Sequence, residues 1–223
     1  MSLTLYIGNK AYSSWSLRAW LALHAAGAAF EEVRIPLYQA DSAVALARHS
    51  PTGRVPVLRD GPLVVWDSLA ICEYLAERFP AAGLWPDDAA DRAFARAVSA
   101  EMHSGFQALR QALPMNARAV GRRVERDASV EHDVARVSGI WRECRARAVS
   151  QLGPWLLGAF GIVDCMYAPV ALRFHTYGVP CGAVERAWMA TILAHEPLRA
   201  WIAAAEREPE IVELNEAGRT ASG

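Results

Sequence analysis

Lysine is almost missing from this chain. Lys10 is the only one among 23 basic residues, and all the others are arginine. Acidic and basic residues nearly cancel, leaving a formal net charge of −1, so no overall field draws the chain to nucleic acid or to an anionic membrane. Cysteine is sparse and scattered. Cys72, Cys144, Cys165 and Cys181 never fall at C-x-x-C spacing, which excludes a zinc cluster or a dithiol redox motif read from sequence. Buried reduced thiols are expected instead. No apolar run approaches the ~20 residues of a membrane helix. The opening residues Met1 to Leu5 carry no basic segment and no cleavable apolar stretch. A soluble cytoplasmic protein without metal, nucleic-acid or membrane partners is the expectation.

What is present is a patterned chain of 223 residues, 53% of them hydrophobic, enough for one large or two small cores. Leu3 to Ile7 reads as a strand, and Leu17, Trp20, Leu21, Leu23 and His24 as a helix closed by Gly27. Glu31 to Ile35 alternates as a second strand, and Ser42 to Arg48 reads as a short helix with Ser42 as a cap. Val55 to Arg59 and Pro62 to Trp66 flank an Asp60-Gly61 turn and form a hairpin. A helix from Asp67-Ser68 to Phe79 follows. The order β-α-β-α-β-β-α implies a small mixed sheet whose first two strands are parallel.

Residues 80–88, rich in proline and glycine, mark a linker between an α/β domain at 1–79 and a second domain at 89–207. Beyond the linker the strand signal ends. Phe94, Val98, Met102, Phe106, Leu109 and Leu113 form one helical stripe, and Val130, Val134, Val137, Trp141, Cys144 and Ala148 another. The connection between them carries Arg118, Arg122, Arg123 and Arg126; it reads as a solvated charged segment or, alternatively, as arginines that bind an anionic substrate, and Arg173 and His175 on the late helix carry the same two readings. Helices are expected from Val163 to Tyr177, Glu185 to Ala194 and Pro197 to Arg207. Residues 208–223 read as a loose polar tail.

Three places carry chemistry. Tyr12-Ser13-Ser14-Trp15-Ser16-Leu17-Arg18 lies where a strand hands over to a helix; its serines can cap the helix or hold an anion at its N-terminus. Val55-Pro56 opens a strand with a residue that cannot donate to a ladder. It is either an ordinary edge proline or, if cis, a device that turns the Val55 backbone outward to pair with a peptide. Asp67-Ser68 opens another helix, by plain capping or as a second anion site.

Together with Ser68-Leu69-Ala70-Ile71-Cys72-Glu73-Tyr74-Leu75 and Ile162-Val163-Asp164, these segments resemble the glutathione transferase family over roughly residues 3–205. The serines are most similar to its serine-type, zeta-like bacterial branch. The resemblance implies a thioredoxin-like α/β domain with a mixed four-stranded sheet, followed by an all-helical domain. It implies a cis Pro56 and a Val55 that pairs with the cysteinyl backbone of glutathione. Asp67 and Ser68 would hold the γ-glutamyl end, and His49 and Arg54 the glycyl carboxylate. Ser13 or Ser14 would activate the thiol, with Tyr12 as a rival hydroxyl. A homodimer acting on a small electrophile is implied, with no metal. Two departures stand out. Trp15 occupies the position where the zeta pattern has cysteine, and Gly161 lies where the family places serine or threonine, three residues before Asp164. A glutathione-dependent isomerase of the maleylacetoacetate type and a non-catalytic regulatory protein on the same scaffold are the alternatives.

Overall fold

The computed structural model describes residues 3–148 and 153–219. Strands β1 (Leu3–Ile7), β2 (Phe30–Arg34), β3 (Val57–Asp60) and β4 (Leu63–Trp66) form one sheet in the order β2-β1-β3-β4. β1 runs parallel to β2, with Leu5 opposite Glu32, and antiparallel to β3, with Leu5 opposite Leu58. The β3–β4 hairpin turns at Gly61, whose φ of 58° suits a residue without a Cβ. Helices α1 (Ser14–Ala25), α2 (Ser42–Ala47) and α3 (Ser68–Arg78) complete this part, and α1 packs on α3.

The remaining helices are α4 (Ala89–Ser104), α5 (Gln107–Ala112), α6 (Ala128–Arg147), α7 (Ile162–Tyr177), α8 (Ala183–Ala194) and α9 (Glu196–Ala205). α7 is apolar on all sides, so it takes the centre, touching α1, α4 and α8. Its start is held by Asp164, which accepts from the Leu156 and Gly161 amides at 3.0 and 3.1 Å and from Trp188 Nε1 at 2.7 Å. Burial pushes this carboxyl up to about 6. One hydrophobic cluster runs through both halves, from Leu5 and Leu21 to Tyr167 and Trp201.

Several expectations are corrected. The stripe from Phe94 to Leu113 is two helices. α4 ends at Gly105, whose extended backbone (φ −100°) lies so close to the Glu101 carbonyl that a Cβ would stand 2.8 Å from it, Phe106 then turns left-handed at φ 61°, and Asp133 accepts the Leu109 amide as α5 begins. Ser42 does not cap α2; its hydroxyl ties the Gln39 amide to the Pro36 carbonyl. β2 shows no clean alternation, since it is an edge strand with Glu31 and Glu32 both exposed. Cys72, Cys144 and Cys165 are buried free thiols, whereas Cys181 is half-buried.

The tail is not loose over 208–219. Buried Glu208 accepts the Lys10 and Ala11 amides at 2.7 and 3.0 Å. Glu216 accepts from Tyr12 Oη (2.7 Å), Asn116 Nδ2 (2.9 Å) and Arg122 (2.7 Å). Residues 220–223 of the expected tail lie outside the described residues. No helix among the described residues is long and apolar enough to cross a membrane.

Candidate active site

The turn after β1 is built to present hydroxyls. The Tyr12 and Ser13 amides bond back to the Asn9 carbonyl, closing the loop tightly against the sheet end. Ser13 is the N-cap of α1; its Oγ accepts the Ser16 amide at 3.3 Å and lies 2.7 Å from Ser16 Oγ. Ser16 Oγ in turn accepts the Gly8 amide at 3.1 Å. Ser14 Oγ accepts a longer bond from Arg173 at 3.5 Å. Tyr12 is occupied differently. Its hydroxyl donates to Glu216 and accepts from Arg118, and burial raises its pKa, with the Glu216 bond acting the same way.

Val55–Pro56 is cis. It lies at the rim of two adjoining cavities, which share Trp15, Arg54 and Val55. The first, of about 700 Å³, is walled by Tyr12, Ser13, Ser14, Arg110, Arg173 and Asn215, among others. The second, of about 560 Å³, is bounded by Pro56, Asp67, Ser68 and His103. Asp67 caps α3 from a left-handed backbone, φ 76°, by accepting the Leu69 amide at 2.9 Å and the Ala70 amide at 3.4 Å. Its other oxygen is 3.1 Å from His103 Nε2 on α4. Ser68 Oγ is buried and has no hydrogen-bond partner among the described residues, a cost that a ligand would offset.

Of the residues singled out from sequence, Ser13, Ser14, Arg54, Val55, Pro56, Asp67 and Ser68 therefore border this double cavity. His49 does not: its ring stacks on Tyr6 with centroids 4.3 Å apart, and it lines neither cavity. Arg118 and Arg122 are not a solvated face; both reach Glu216. Arg173 is buried beneath the first cavity and donates to the Arg110 and Leu113 carbonyls. Sequence reasoning missed His103, Arg110, Asn215 and Glu216. None sits in a motif, and each arrives from a helix or segment far along the chain. The guanidinium carbons of Arg18 and Arg110 lie 4.5 and 4.3 Å from the Trp15 ring centroid. No group of three or more metal-ligating side chains gathers among the described residues.

The model of the glutathione S-transferase N-terminal domain matches residues 12–78, and that of the C-terminal domain matches residues 88–204. Among curated proteins, glutathione S-transferase 1 of Dianthus caryophyllus is 34% identical over 113 residues, 50% of each chain. A probable maleylacetoacetate isomerase of Caenorhabditis elegans is 35% identical over 105 residues, 47% of this chain and 48% of that protein. The chain thus spans about half the length of the curated relatives it matches. Among solved structures, a glutathione transferase homolog from Burkholderia GL BGR1 with bound glutathione superposes with a TM-score of 0.69 at 22% identity. That match covers 93% of this chain and 100% of the homolog, and shows a shared fold. A theta class enzyme from Xanthomonas axonopodis pv. citri, with glutathione bound, gives 0.66 at 25% identity over 90% of this chain and 97% of its own.

Proposed function

Since the chain belongs to the glutathione S-transferase family, we propose that it ionises the thiol of glutathione and directs the thiolate at a small electrophile, with Ser13 as the activating group. The observation that carries this reading is the orphaned hydroxyl of Ser68, buried in the wall of a cavity that continues past Val55 to Ser13.

In this reading the γ-glutamyl carboxylate takes the Ser68 hydroxyl, Asp67 takes the amine, the Val55 backbone pairs with the cysteinyl residue, and Arg54 meets the glycyl carboxylate. His49 has no part in it. The serine geometry supports Ser13 as the donor. Ser16 Oγ already accepts from Gly8. With its own proton on Ser13 Oγ, and the Ser16 amide on the second lone pair, the Ser13 proton is left to point at sulfur. Ser14 lacks that support and faces Arg173 instead. The Tyr12 hydroxyl is held by Glu216.

A hydrogen bond to a charged sulfur stabilises the thiolate by ~1.5–3 kcal/mol, and the α1 N-terminus adds about 0.3–1 kcal/mol. From a free pKa near ~8.5, this is enough to make the thiolate the main species at neutral pH. The sulfur then forms the new bond to carbon. Either a leaving group departs with the electron pair of the bond it breaks, or, at a conjugated acceptor, the pair moves to the neighbouring carbon, which takes up a proton. No general base is needed.

We assign the division 1–79 and 89–207 to the glutathione-holding and electrophile-facing parts, and a homodimer as the working unit; scattering that gives a monomer mass would refute the latter. The central test is ultraviolet difference absorption on adding glutathione at neutral pH. A thiolate band is expected. Its absence, together with no retention on immobilised glutathione, would leave only the regulatory reading.

A further inference from the structure

The segment between α5 and α6 carries Arg122, Arg123 and Arg126, which the proposed reaction does not use. With His175, Tyr177 and Gly178 at the end of α7 they line a separate cavity of about 350 Å³. It shares no lining residue with the double cavity, so its role is independent of the glutathione reading.

The arginines are not spent on closing α7. The Arg122 backbone amide, not its side chain, meets the Thr176 carbonyl at 2.9 Å, and the Gly178 and Val179 amides meet that of Phe174. Nor are the three cations fully neutralised. Arg122 Nη2 reaches Glu216 at 2.7 Å, while its Nη1 is buried with no hydrogen-bond partner among the described residues. That one carboxylate also serves Arg118, Tyr12 and Asn116. Arg126 pairs at 2.7 Å with Glu131, which is half exposed. The Arg123 side chain is exposed and makes no hydrogen bond or ion pair among the described residues. No carboxylate lines the cavity: Glu125, Asp127, Glu131 and Glu216 all lie outside its wall, and Asp127 is taken by the Ser129 and Val130 amides. In a chain of net charge −1, three guanidinium groups and an imidazole gather at one concavity. Like charges so placed repel, and a buried N–H without an acceptor costs free energy; an anion in the cavity offsets both.

We propose that this cavity binds the phosphate group of a small molecule. Phosphate offers several charged oxygens, which guanidinium forks engage two at a time. A single carboxylate has two oxygens, too few for three forks. The basic residues enclose a hollow and do not run as a stripe, and the chain as a whole is not basic. That suits a small molecule, not a nucleic acid or a membrane surface.

The test is titration calorimetry of the full chain at low ionic strength with inorganic phosphate, pyrophosphate, glycerol 3-phosphate and acetate. Saturable phosphate binding is expected, with a dissociation constant below about 1 mM and acetate at least about tenfold weaker. The strongest of the three phosphates identifies the source as free phosphate, a diphosphate or an ester. Arg123→Gln, at an exposed side chain without a partner, should weaken phosphate about tenfold, and adding Arg126→Gln should abolish binding. No saturable binding of any phosphate overturns the proposal. So does equal affinity for acetate, and so does undiminished phosphate binding in the double variant, which would put the anion elsewhere on the molecule.

Discussion

Replacing Ser13 with alanine removes the hydrogen bond on which the proposed thiol activation depends. Ser13 Oγ accepts the Ser16 amide at 3.3 Å and sits 2.7 Å from Ser16 Oγ. The variant therefore loses the cap as well as the donor to sulfur. The cap is worth ~1 kcal/mol of stability, which a 12-residue helix packed on α3 and α7 tolerates. The bond to sulfur, at ~1.5–3 kcal/mol and ~1.4 kcal/mol per pKa unit, corresponds to a rise of about 1–2 units in the bound thiol. Turnover falls by less than the thiolate fraction does, because a more basic thiolate is a better nucleophile, with a Brønsted slope of ~0.4–0.5. The expected loss is roughly threefold to tenfold below the parent's bound-thiol pKa, about threefold or less near neutral pH where that thiol is already mostly ionised, and gone as pH rises toward the variant's thiol pKa. Ultraviolet titration of the glutathione complex reads the pKa directly. An unchanged pKa in Ser13→Ala, with a raised one in Ser14→Ala, would refute the assignment by one residue. Unchanged values in both would refute serine activation altogether.

Asp164→Ala strands three donors at the start of α7 and should cost about 3–5 kcal/mol, read as a lower denaturant midpoint. The same carboxyl has a pH signature. Its folded pKa of about 6 lies above the ordinary ~3.9, so the native state holds the proton more tightly. Its stabilising contribution is complete below about pH 4 and lost as pH rises to about 6, ~3 kcal/mol in all. Relative to Asp164→Asn, the parent protein should therefore lose ground across that window. Gly161→Ser, although it restores the capping hydroxyl, brings a Cβ to within 2.8 Å of the Leu84 carbonyl, which also accepts the Ile162 amide. Overpacking against backbone outweighs a cap worth ~1 kcal/mol, so the melting temperature should drop. Glu216→Ala removes the acceptor shared by Tyr12, Asn116 and Arg122; hydrogen exchange over residues 212–219 should speed up, and the Michaelis constant for the electrophile should rise.

The sheet and its hairpin were legible because their signals are local: the β-branched runs around Asp60-Gly61, and short polar residues at the starts of α1 and α3. Ser13, Val55-Pro56 and Asp67-Ser68 were legible from their neighbours only as a helix cap, a strand-opening proline and a helix start; a joint role came from the family resemblance alone. The break between α4 and α5 was hidden because Phe106 and Leu109 keep the helical spacing across it, while the backbone leaves the helix at Gly105 and turns left-handed at Phe106. Arg173 reads from sequence as an anion binder or a solvated charge; its burial and its bonds to the Arg110 and Leu113 carbonyls come from tertiary packing that no local pattern records. The tail misled for a related reason. Glu208 and Glu216 look like solvated charge, yet their acceptors are spent on loop amides and arginines far from them in sequence.

The anchoring of the Asn9–Tyr12 turn by Glu208 bears on the order in which the protein is made. The Lys10 amide finds its acceptor 198 residues further along. A ribosome completes the whole sheet, and every serine of the turn, well before it supplies that carboxylate. The first half can form its sheet during synthesis, but its most chemically active loop is left with buried amides still wanting an acceptor. Competence therefore comes late and all at once, when the second half docks and brings Glu208 and Glu216 across. A nascent or truncated chain would carry the serines without holding them in place for reaction.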